Sequence, residues 1–533
     1  MAGQVDPFRR LLGTFGEIAP AAARGARDEG EAEVVREVFG TIDRFCSQEL
    51  GRLDRDARLP AEVVDRAAEL GLFGLTVPAE HGGAGLGMQA VARIIARLAS
   101  FDGSLATTVG LHSGLALRPL VSLGTPAQKA RYLPEVALGR RIAAVGGTEP
   151  EAGSDLSSIR TTATVADGRL IVTGEKAFVT NSAFAGLFTV LARTPGLGGA
   201  REGTSLLLVD LLDPELVGVR RLREEHKLGL KGSSTTSIAL DEARVPMDHL
   251  LGEPGRGLEH FRDALSWGRT FLSAGCVGSA EGAIRQAVEH VRTRRQFGRT
   301  LSRFGMVRER VARMRAQELA MQAVLSMTTA LQESGEDIGW VSTVAKILCS
   351  ESSFEVIDSS LQLHGGMGYI EETGVARRLR DCRVTRIFEG ANDVLKLHLA
   401  SACLMWDLGG LAAVGPLEPH VGPELAPLAA RVDPTLAQVL AALAERVKRL
   451  GVRLVDRQLE ARRIADLLVD CYALACAFAL VRGRRERGRD PEPDQSRLTL
   501  LVELTLPRLR AGITGLAENA DPAVEPVARV DLD

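Results

Sequence analysis

Hydrophobic periodicity changes twice along this chain, near residue 142 and again past residue 243, and any fold must accommodate both changes. Up to about residue 138, apolar residues recur at three- and four-residue spacing over 33–50, 60–70 and 88–100, which predicts amphipathic helices. Pro60 suits a first helical turn, where its missing N–H costs nothing. Between 142 and 243 the texture becomes short runs rich in Val, Thr, Leu and Phe, such as 170–173, 187–191 and 205–209, separated by Gly and Asp. Ala166-Asp167-Gly168 carries hairpin-turn chemistry, so a small β-domain is expected. Helical spacing returns at Gly257 and persists to about Leu404, broken by Gly-rich 365–368. Residues 406–434 are rich in Gly, Pro and Ala and read as a linker or loose excursion. Beyond them Leu436, Val439, Leu440, Leu443, Val447, Leu450, Leu454 and Val455 trace one apolar stripe, with Arg446, Arg449, Arg453 and Arg457 opposite. The order is α, β, α, α.

At 533 residues the chain has room for three or four domains. A net charge of −3 without a long block of like charge excludes a nucleic-acid tail, so no nucleic acid partner is expected. Seven Lys stand against 58 Arg, a bias that says little about function. The seven Cys form no CxxC pair, and an odd count argues against a disulfide framework, which points to a reduced compartment. Asp6 precedes Arg9 and Arg10 without a continuous apolar stretch, so no secretory signal is read and a cytoplasmic location is expected. The most apolar run, 467–481, is too short to span a bilayer and contains Asp470, so it predicts a buried helix.

Three stretches carry distinctive chemistry. They are Thr148-Glu-Pro-Glu-Ala-Gly-Ser-Asp155, Arg294-Arg-Gln-Phe-Gly298, and Gln362-Leu-His-Gly-Gly-Met-Gly-Tyr369 followed by Arg380-Asp381 and Ile387-Phe-Glu-Gly390. In this order and spacing they resemble the acyl-CoA dehydrogenases over roughly residues 70–400. The long C-terminal extension and the wording Arg386-Ile-Phe-Glu-Gly look most like the very-long-chain members. The resemblance implies an α+β, mainly α fold. Its parts are an N-terminal segment (1–30), an N-terminal helical domain (31–141), a central β-barrel (142–253), a helical bundle (254–404), a linker (405–433) and an additional C-terminal helical domain (434–533).

The implied reaction removes a proton from the carbon beside a thioester and a hydride from the next carbon, giving a trans-2-enoyl-CoA. So weak an acid demands fixed donors for the enolate-like oxygen and a base held in a dry pocket that raises its pKa. By resemblance the donors are the backbone N–H of Glu389 and a ribityl hydroxyl of FAD, and FAD N5 accepts the hydride. Glu389, beside Phe388 and Gly390, is the expected base; the bland alternative is a surface Glu favoured by a helix dipole. Some relatives carry the base at the position of Gly268 in Trp267-Gly-Arg269, where glycine cannot take a proton.

Further positions carry over as what the resemblance implies. Thr148 and Thr180 match residues that hydrogen-bond the flavin ring, Phe178 an aromatic packed on it, and Val145 and Val179 neighbours of the cofactor. Ser154 matches a residue touching pyrophosphate and substrate. Arg294 matches the arginine reaching the pyrophosphate of a neighbouring subunit's FAD, which implies a homodimer. Gln362, Gly365 and Gly366 match the adenine-side loop, and Ala391, Asn392 and Asp393 complete the cofactor set. Ser266, Trp267, Gly268, Arg269 and Gly390 are expected beside the fatty acyl-CoA substrate. Ala106 and Gly110, four apart and so on one helix face, match the floor of the acyl shaft. Small residues there leave the shaft open for long chains, or merely let helices pack closely. Two departures stand out: Ala391 replaces a frequent Thr, and Gly305 replaces a Gln.

Electron-transferring flavoprotein is the implied acceptor, and the C-terminal helices would cover the surface that smaller relatives use to form tetramers. An acyl-CoA oxidase passing electrons to oxygen and a non-catalytic scaffold remain open. The basic face of Arg446, Arg449, Arg453, Arg457, Arg462 and Arg463 suggests peripheral contact with the inner membrane, or simply a solvated face. Gly82-Gly-Ala-Gly-Leu-Gly87 lacks the spacing and acidic residue of a dinucleotide fingerprint and is rejected as one. His112 and His364 lie in no metal-ligand cluster and receive no role; no metal is expected.

Overall fold

The computed structural model describes residues 19–49, 53–199 and 203–532. Asp6, Arg9, Arg10 and Leu50 lie outside the described residues.

The first helical region contains α1 (Glu29–Glu49), α2 (Ala61–Glu69), α3 (Met88–Ala99), α4 (Gly103–Leu111) and α5 (Pro126–Ala137). Local chemistry sets their ends. Asp102 caps α4 by accepting from the Leu105 N–H, and Thr125 with Gln128 forms a capping box on α5. Pro60 sits one residue earlier than expected, as the N-cap of α2. Residues 82–87 form a loop leading into α3, with the Gly87 N–H donating to Glu31, and open no βαβ unit.

The middle region is one sheet of β1 (Ile142–Gly146), β2 (Thr162–Ala166), β3 (Arg169–Thr180), β4 (Ala185–Arg193), β5 (Thr204–Asp210), β6 (Val219–Glu224), β7 (Thr235–Pro246) and β8 (Leu250–Leu251). The pairing order is β6-β7-β3-β2-β4-β5-β8, with β1 parallel to β4. Ala166 pairs with Arg169, leaving Asp167 and Gly168 as a two-residue turn. Both have positive φ, +51° and +70°, as a type I′ hairpin requires. One face buries Val172, Phe188, Val190, Leu207, Ile238 and Leu240 together, so strands from the whole sheet enclose a single interior. On the other face Leu187, Leu206 and Leu208 pack against Tyr132, Leu133 and Phe261.

The chain then forms α6 (Gly257–Thr293), α7 (Gly305–Glu333), α8 (Gly339–His364), α9 (Val375–Arg383) and α10 (Asn392–Ala402). Small residues let α6 approach α3: a Cβ at Gly278 would collide with the Ala96 carbonyl, and one at Gly282 would lie 2.5 Å from the Ser100 oxygen. The extension adds α11 (Ala426–Leu450), α12 (Gln458–Glu486), α13 (Pro491–Ala517) and α14 (Asp521–Leu532).

Residues 405–433 are not the loose linker that Gly and Pro suggested. Leu411, Leu417, Val421 and Leu425 are buried, Asp433 accepts the N–H groups of Leu417 and Glu418, and α11 begins at Ala426 with Pro434 inside it. Spaced large apolar residues decide this, because each finds a place in the core. That core is shared: the stripe from Leu436 to Val447 belongs to the same cluster as α3, α6, α7 and α8. Val455 departs from the stripe and is 48% exposed, because α11 stops at Leu450 and Gly451 turns the chain. Apart from the half-buried Asp470, residues 467–481 are buried within α12, which is long and apolar enough to cross a membrane but has 89% of its most apolar window inside the protein. Trp340 and Tyr472 meet edge to face at 4.9 Å, and Lys396 pairs with Asp466 at 2.8 Å, fastening α12 to α8 and α10. On the basic face, Arg446 pairs with Glu460 and Arg463 with Asp521, while Arg449, Arg453, Arg457 and Arg462 remain exposed.

Candidate active site

Glu389 occupies the turn between a 3-10 turn (Val384–Arg386) and α10, with φ at +55°, and Gly390 follows at +101°. Left-handed backbone is costly for a residue with a Cβ, on the order of 1–3 kcal/mol, so something must hold it. Two buried cations do. The Arg269 Nε donates to the Glu389 carbonyl at 3.1 Å, and the Lys346 Nζ donates to the Gly390 carbonyl at 2.7 Å and to Asn392 Oδ1 at 2.6 Å. Asn392 in turn donates to Ser350 Oγ (3.0 Å) and Glu351 Oε1 (2.7 Å), completing a network that runs back into α8.

The side chain is treated in the opposite way. Glu389 lines a cavity and the residue is only half-buried, yet its Oε2 is out of solvent and has no hydrogen-bond partner. Burial pushes the carboxyl up to about 7, against the opposing charges of Arg269 and Lys346. Glycine at 268 is required by this placement, since a Cβ there would lie 2.5 Å from Oε2. Among the described residues, the Glu389 backbone N–H is paired with no acceptor.

The cavity has a volume of about 1080 Å³. Of the positions singled out in the sequence, Val145, Thr148, Ser154, Phe178, Thr180, Ser266, Arg269, Gly390 and Ala391 line it together with Glu389. The pairing of β3 with β7 slips between Lys176 and Val179, and Phe178 there has φ at +55°. That irregularity turns an aromatic side chain, 66% exposed, into the cavity instead of the sheet core. Thr148 is fixed by its carbonyl accepting the Ala177 N–H, and its neighbour Glu149 is anchored by Lys176 at 2.7 Å and by the N–H groups of Arg160 and Thr161.

A narrower cavity of about 60 Å³ leads from Glu389 between α4 and α6, past Ala106, Gly110, Gly268 and Gly275. Gly110 lines this space, and a Cβ there would meet Ile95 Cδ1 at 3.6 Å, an ordinary van der Waals contact.

Other expected positions lie elsewhere. Val179 points into the sheet interior, the neighbour of Phe178 on the opposite face. Trp267 packs on Phe271 and under the Arg118 guanidinium instead of lining the cavity. Asn392 is buried in the Lys346 network, and Asp393 is exposed. Arg294, Gln362, Gly365 and Gly366 are exposed and line neither cavity. Arg294 follows Arg269, the last residue of α6 that lines the large cavity, by 25 residues, roughly 37 Å at 1.5 Å per residue. His290 and His364 stack at 4.5 Å, which joins the Arg294 and Gly365 segments at one edge of the molecule. His112 is a satisfied core residue: Nε2 donates to the Phe73 carbonyl and Nδ1 accepts from the Ala143 N–H, each at 2.9 Å.

Sequence reasoning missed Lys346. Its signal was a lysine, in a chain with seven, set in the otherwise apolar run Val344-Ala-Lys-Ile-Leu348. Arg262, Trp340 and His398 also line the large cavity without having been singled out.

The large cavity is lined mainly by apolar surface, and the Glu389 Oε2 beside it, out of solvent, unpartnered and raised to about 7, has the properties that a general base needs. Models of three acyl-CoA dehydrogenase domains match the chain: the N-terminal domain over residues 28–140, the middle domain over 144–243 and the C-terminal domain over 255–404. The very long-chain specific acyl-CoA dehydrogenase of Homo sapiens is 31% identical over 543 aligned residues, covering 93% of this chain and 81% of that protein. The corresponding Mus musculus protein is 33% identical over 381 residues, 70% of this chain and 58% of its own length. An acyl-CoA dehydrogenase from Bacillus anthracis, solved with FAD, superposes with a TM-score of 0.80 at 27% identity, covering 94% of this chain and 91% of that one. The chain belongs to the acyl-CoA dehydrogenase family.

Proposed function

We propose that the protein is an FAD-dependent dehydrogenase that desaturates a long- or very-long-chain fatty acyl-CoA between its α and β carbons, as in fatty acid β-oxidation. The observation that carries this reading is Glu389: a carboxylate raised to about 7, partnerless at Oε2, at the junction of two cavities. As base, its Oε2 takes the α-proton of the thioester. The Glu389 N–H supplies a donor for the enolate-like oxygen that forms as the proton leaves. Gly268 leaves room for the carboxylate, and Phe261, Leu265 and Leu395 add apolar wall to the cavity it lines.

The large cavity exceeds the roughly 300–1,000 Å³ of a single small-molecule site, which suits two ligands. Phe178 and the hydroxyls of Thr148 and Thr180 form a platform with an aromatic face and polar edge, the surface an isoalloxazine needs. Arg294, Gln362, Gly365 and Gly366 would hold the distal half of FAD from a second copy, making a homodimer the smallest active unit. FAD, when bound, supplies the acceptor for the hydride leaving the β-carbon. Electron-transferring flavoprotein is the proposed oxidant of the reduced enzyme. The acyl tail follows the narrow cavity past Ala106 and Gly110, where each further buried methylene contributes about 0.8 kcal/mol until it meets a wall.

Turnover and flavin absorbance measured across acyl-CoAs of four to twenty carbons test the reading. Yellow protein with its highest kcat/KM at about fourteen carbons or more is expected, and Gly110→Glu should move the optimum to shorter chains. A maximum on butyryl- or hexanoyl-CoA would refute the chain-length assignment, and colourless, inactive protein would refute the reaction.

A further inference from the structure

Lys346 is fully buried on α8, 43 residues before Glu389 and outside every motif singled out in the sequence. Among the described residues it makes no ion pair within hydrogen-bonding range. Its ammonium is spent on the Gly390 carbonyl and the Asn392 amide oxygen, the two acceptors that bracket the turn after the base. Burying a cation without a paired anion is expensive, and burial brings Lys346 down to about 8. An apolar residue would fill the same helix face at lower cost. What only a cation with several donors supplies is a fixed point for a carbonyl whose residue sits at φ +101°.

With Arg269 holding the preceding carbonyl, two consecutive peptide oxygens are pinned by cations from two different helices, α6 and α8. Pinned at both carbonyls, the turn holds the direction in which the Glu389 side chain leaves the backbone. Neither cation donates a hydrogen bond to the carboxylate, which therefore stays available.

We infer that Lys346 is a positioning residue for the base: by holding the Gly390 carbonyl it keeps the Glu389 carboxylate aimed, unpartnered, at the substrate's α-carbon. This rests on the reading of Glu389 as the base. The charged and titratable groups facing these two side chains are Arg269 and Cys276 on α6 and Glu351 on α8. Arg269, together with Lys346, acts on Glu389 itself, and both favour its ionised form.

The test uses the FAD-loaded full chain. Lys346→Met removes both the anchor and the charge, while Lys346→Gln keeps an N–H donor but no charge. In Lys346→Met, kcat should fall roughly ten- to hundredfold with KM changed far less, as expected when a reacting group is misplaced by about an ångström. Lys346→Gln should recover part of kcat. In both, carbon-13 NMR of the Glu389 carboxyl, assigned by its disappearance in Glu389→Gln, should show titration about one unit or more above wild type. This second readout needs no turnover, and it serves if Lys346→Met folds poorly. A kcat within twofold of wild type in both variants overturns the inference. So does a kcat lost together with FAD binding, because that pattern belongs to a merely structural core lysine. Failure of the underlying reading shows separately, as turnover retained by Glu389→Gln.

Discussion

The Glu389 Oε2 and the whole of Glu149 are withdrawn from solvent, and the two carboxylates end in opposite states. Burial raises both, and for Glu149 it is again the largest single influence. There, however, hydrogen bonds from Lys176, Thr161 and Arg160 and the charge of Lys176 outweigh it and hold the carboxyl below its usual range. At Glu389 the cations stand off, and burial wins, leaving it at about 7. Each turn is tied by one of two wholly buried lysines, in a chain with seven. Lys176 bonds the Glu149 side chain and so fixes the Thr148 loop, whereas Lys346 bonds backbone and leaves the side chain unsatisfied. Desolvation alone therefore does not make a base; the direction in which the neighbouring cation spends its donors does.

The largest expected effect breaks the comparison on the catalytic side. Glu389→Gln keeps the shape of the side chain but cannot accept a proton, so kcat should fall by roughly 10²–10⁴-fold with unfolding stability preserved. Steady-state kinetics retaining more than about a tenth of wild-type kcat, a barrier change under ~1.4 kcal/mol, would move the base elsewhere.

Lys176→Met probes the structural side. It leaves Glu149 buried without its cation, and breaking such a pair costs about 3–5 kcal/mol, to be read from urea unfolding. An unfolding midpoint equal to wild type would show that the backbone N–H groups of Arg160 and Thr161 suffice.

Next in size is Gly268→Ala, whose Cβ would lie 2.5 Å from Glu389 Oε2. It should reduce kcat by about 100-fold through displacement of the base. Retained activity would mean that the turn yields more readily than its two anchored carbonyls imply.

The smallest effect is graded with pH. Below about 7, kcat/KM should fall roughly tenfold per unit as Glu389 takes up a proton, and a profile flat down to pH 5 would contradict its raised basicity. Stability should respond with opposite signs at the two glutamates. Because the folded-state value of Glu389 is raised, its contribution is fully present below its ordinary 4.5 and is lost as pH rises through about 7. Because that of Glu149 is lowered, its contribution is present above 4.5 and is lost as pH falls below it. Relative to Glu389→Gln, the wild type should thus lose stability between pH 4.5 and 7, measurable by thermal unfolding across that range.

The sequence by itself determined the succession of helical and β regions, because side-chain periodicity is a local property. It determined the Asp167-Gly168 hairpin for the same reason, since two adjacent residues carry all the required positive φ. It marked Glu389 through a short motif whose members are neighbours in the chain. It could not tell that 405–433 is packed, because Leu411, Leu417, Val421 and Leu425 are buried in a core that elements distant in the chain complete. Nor could it separate Phe178 from Val179: one slip in the β3–β7 register sends the first to the cavity and the second to the core. Lys346 and Arg269 were likewise undecided, one unremarked and the other read only as a substrate neighbour. Their role exists only where α6 and α8 converge on the Glu389 turn. What tertiary structure decided, then, is which buried group keeps a partner, and partners are set by distance in space, which sequence separation does not record.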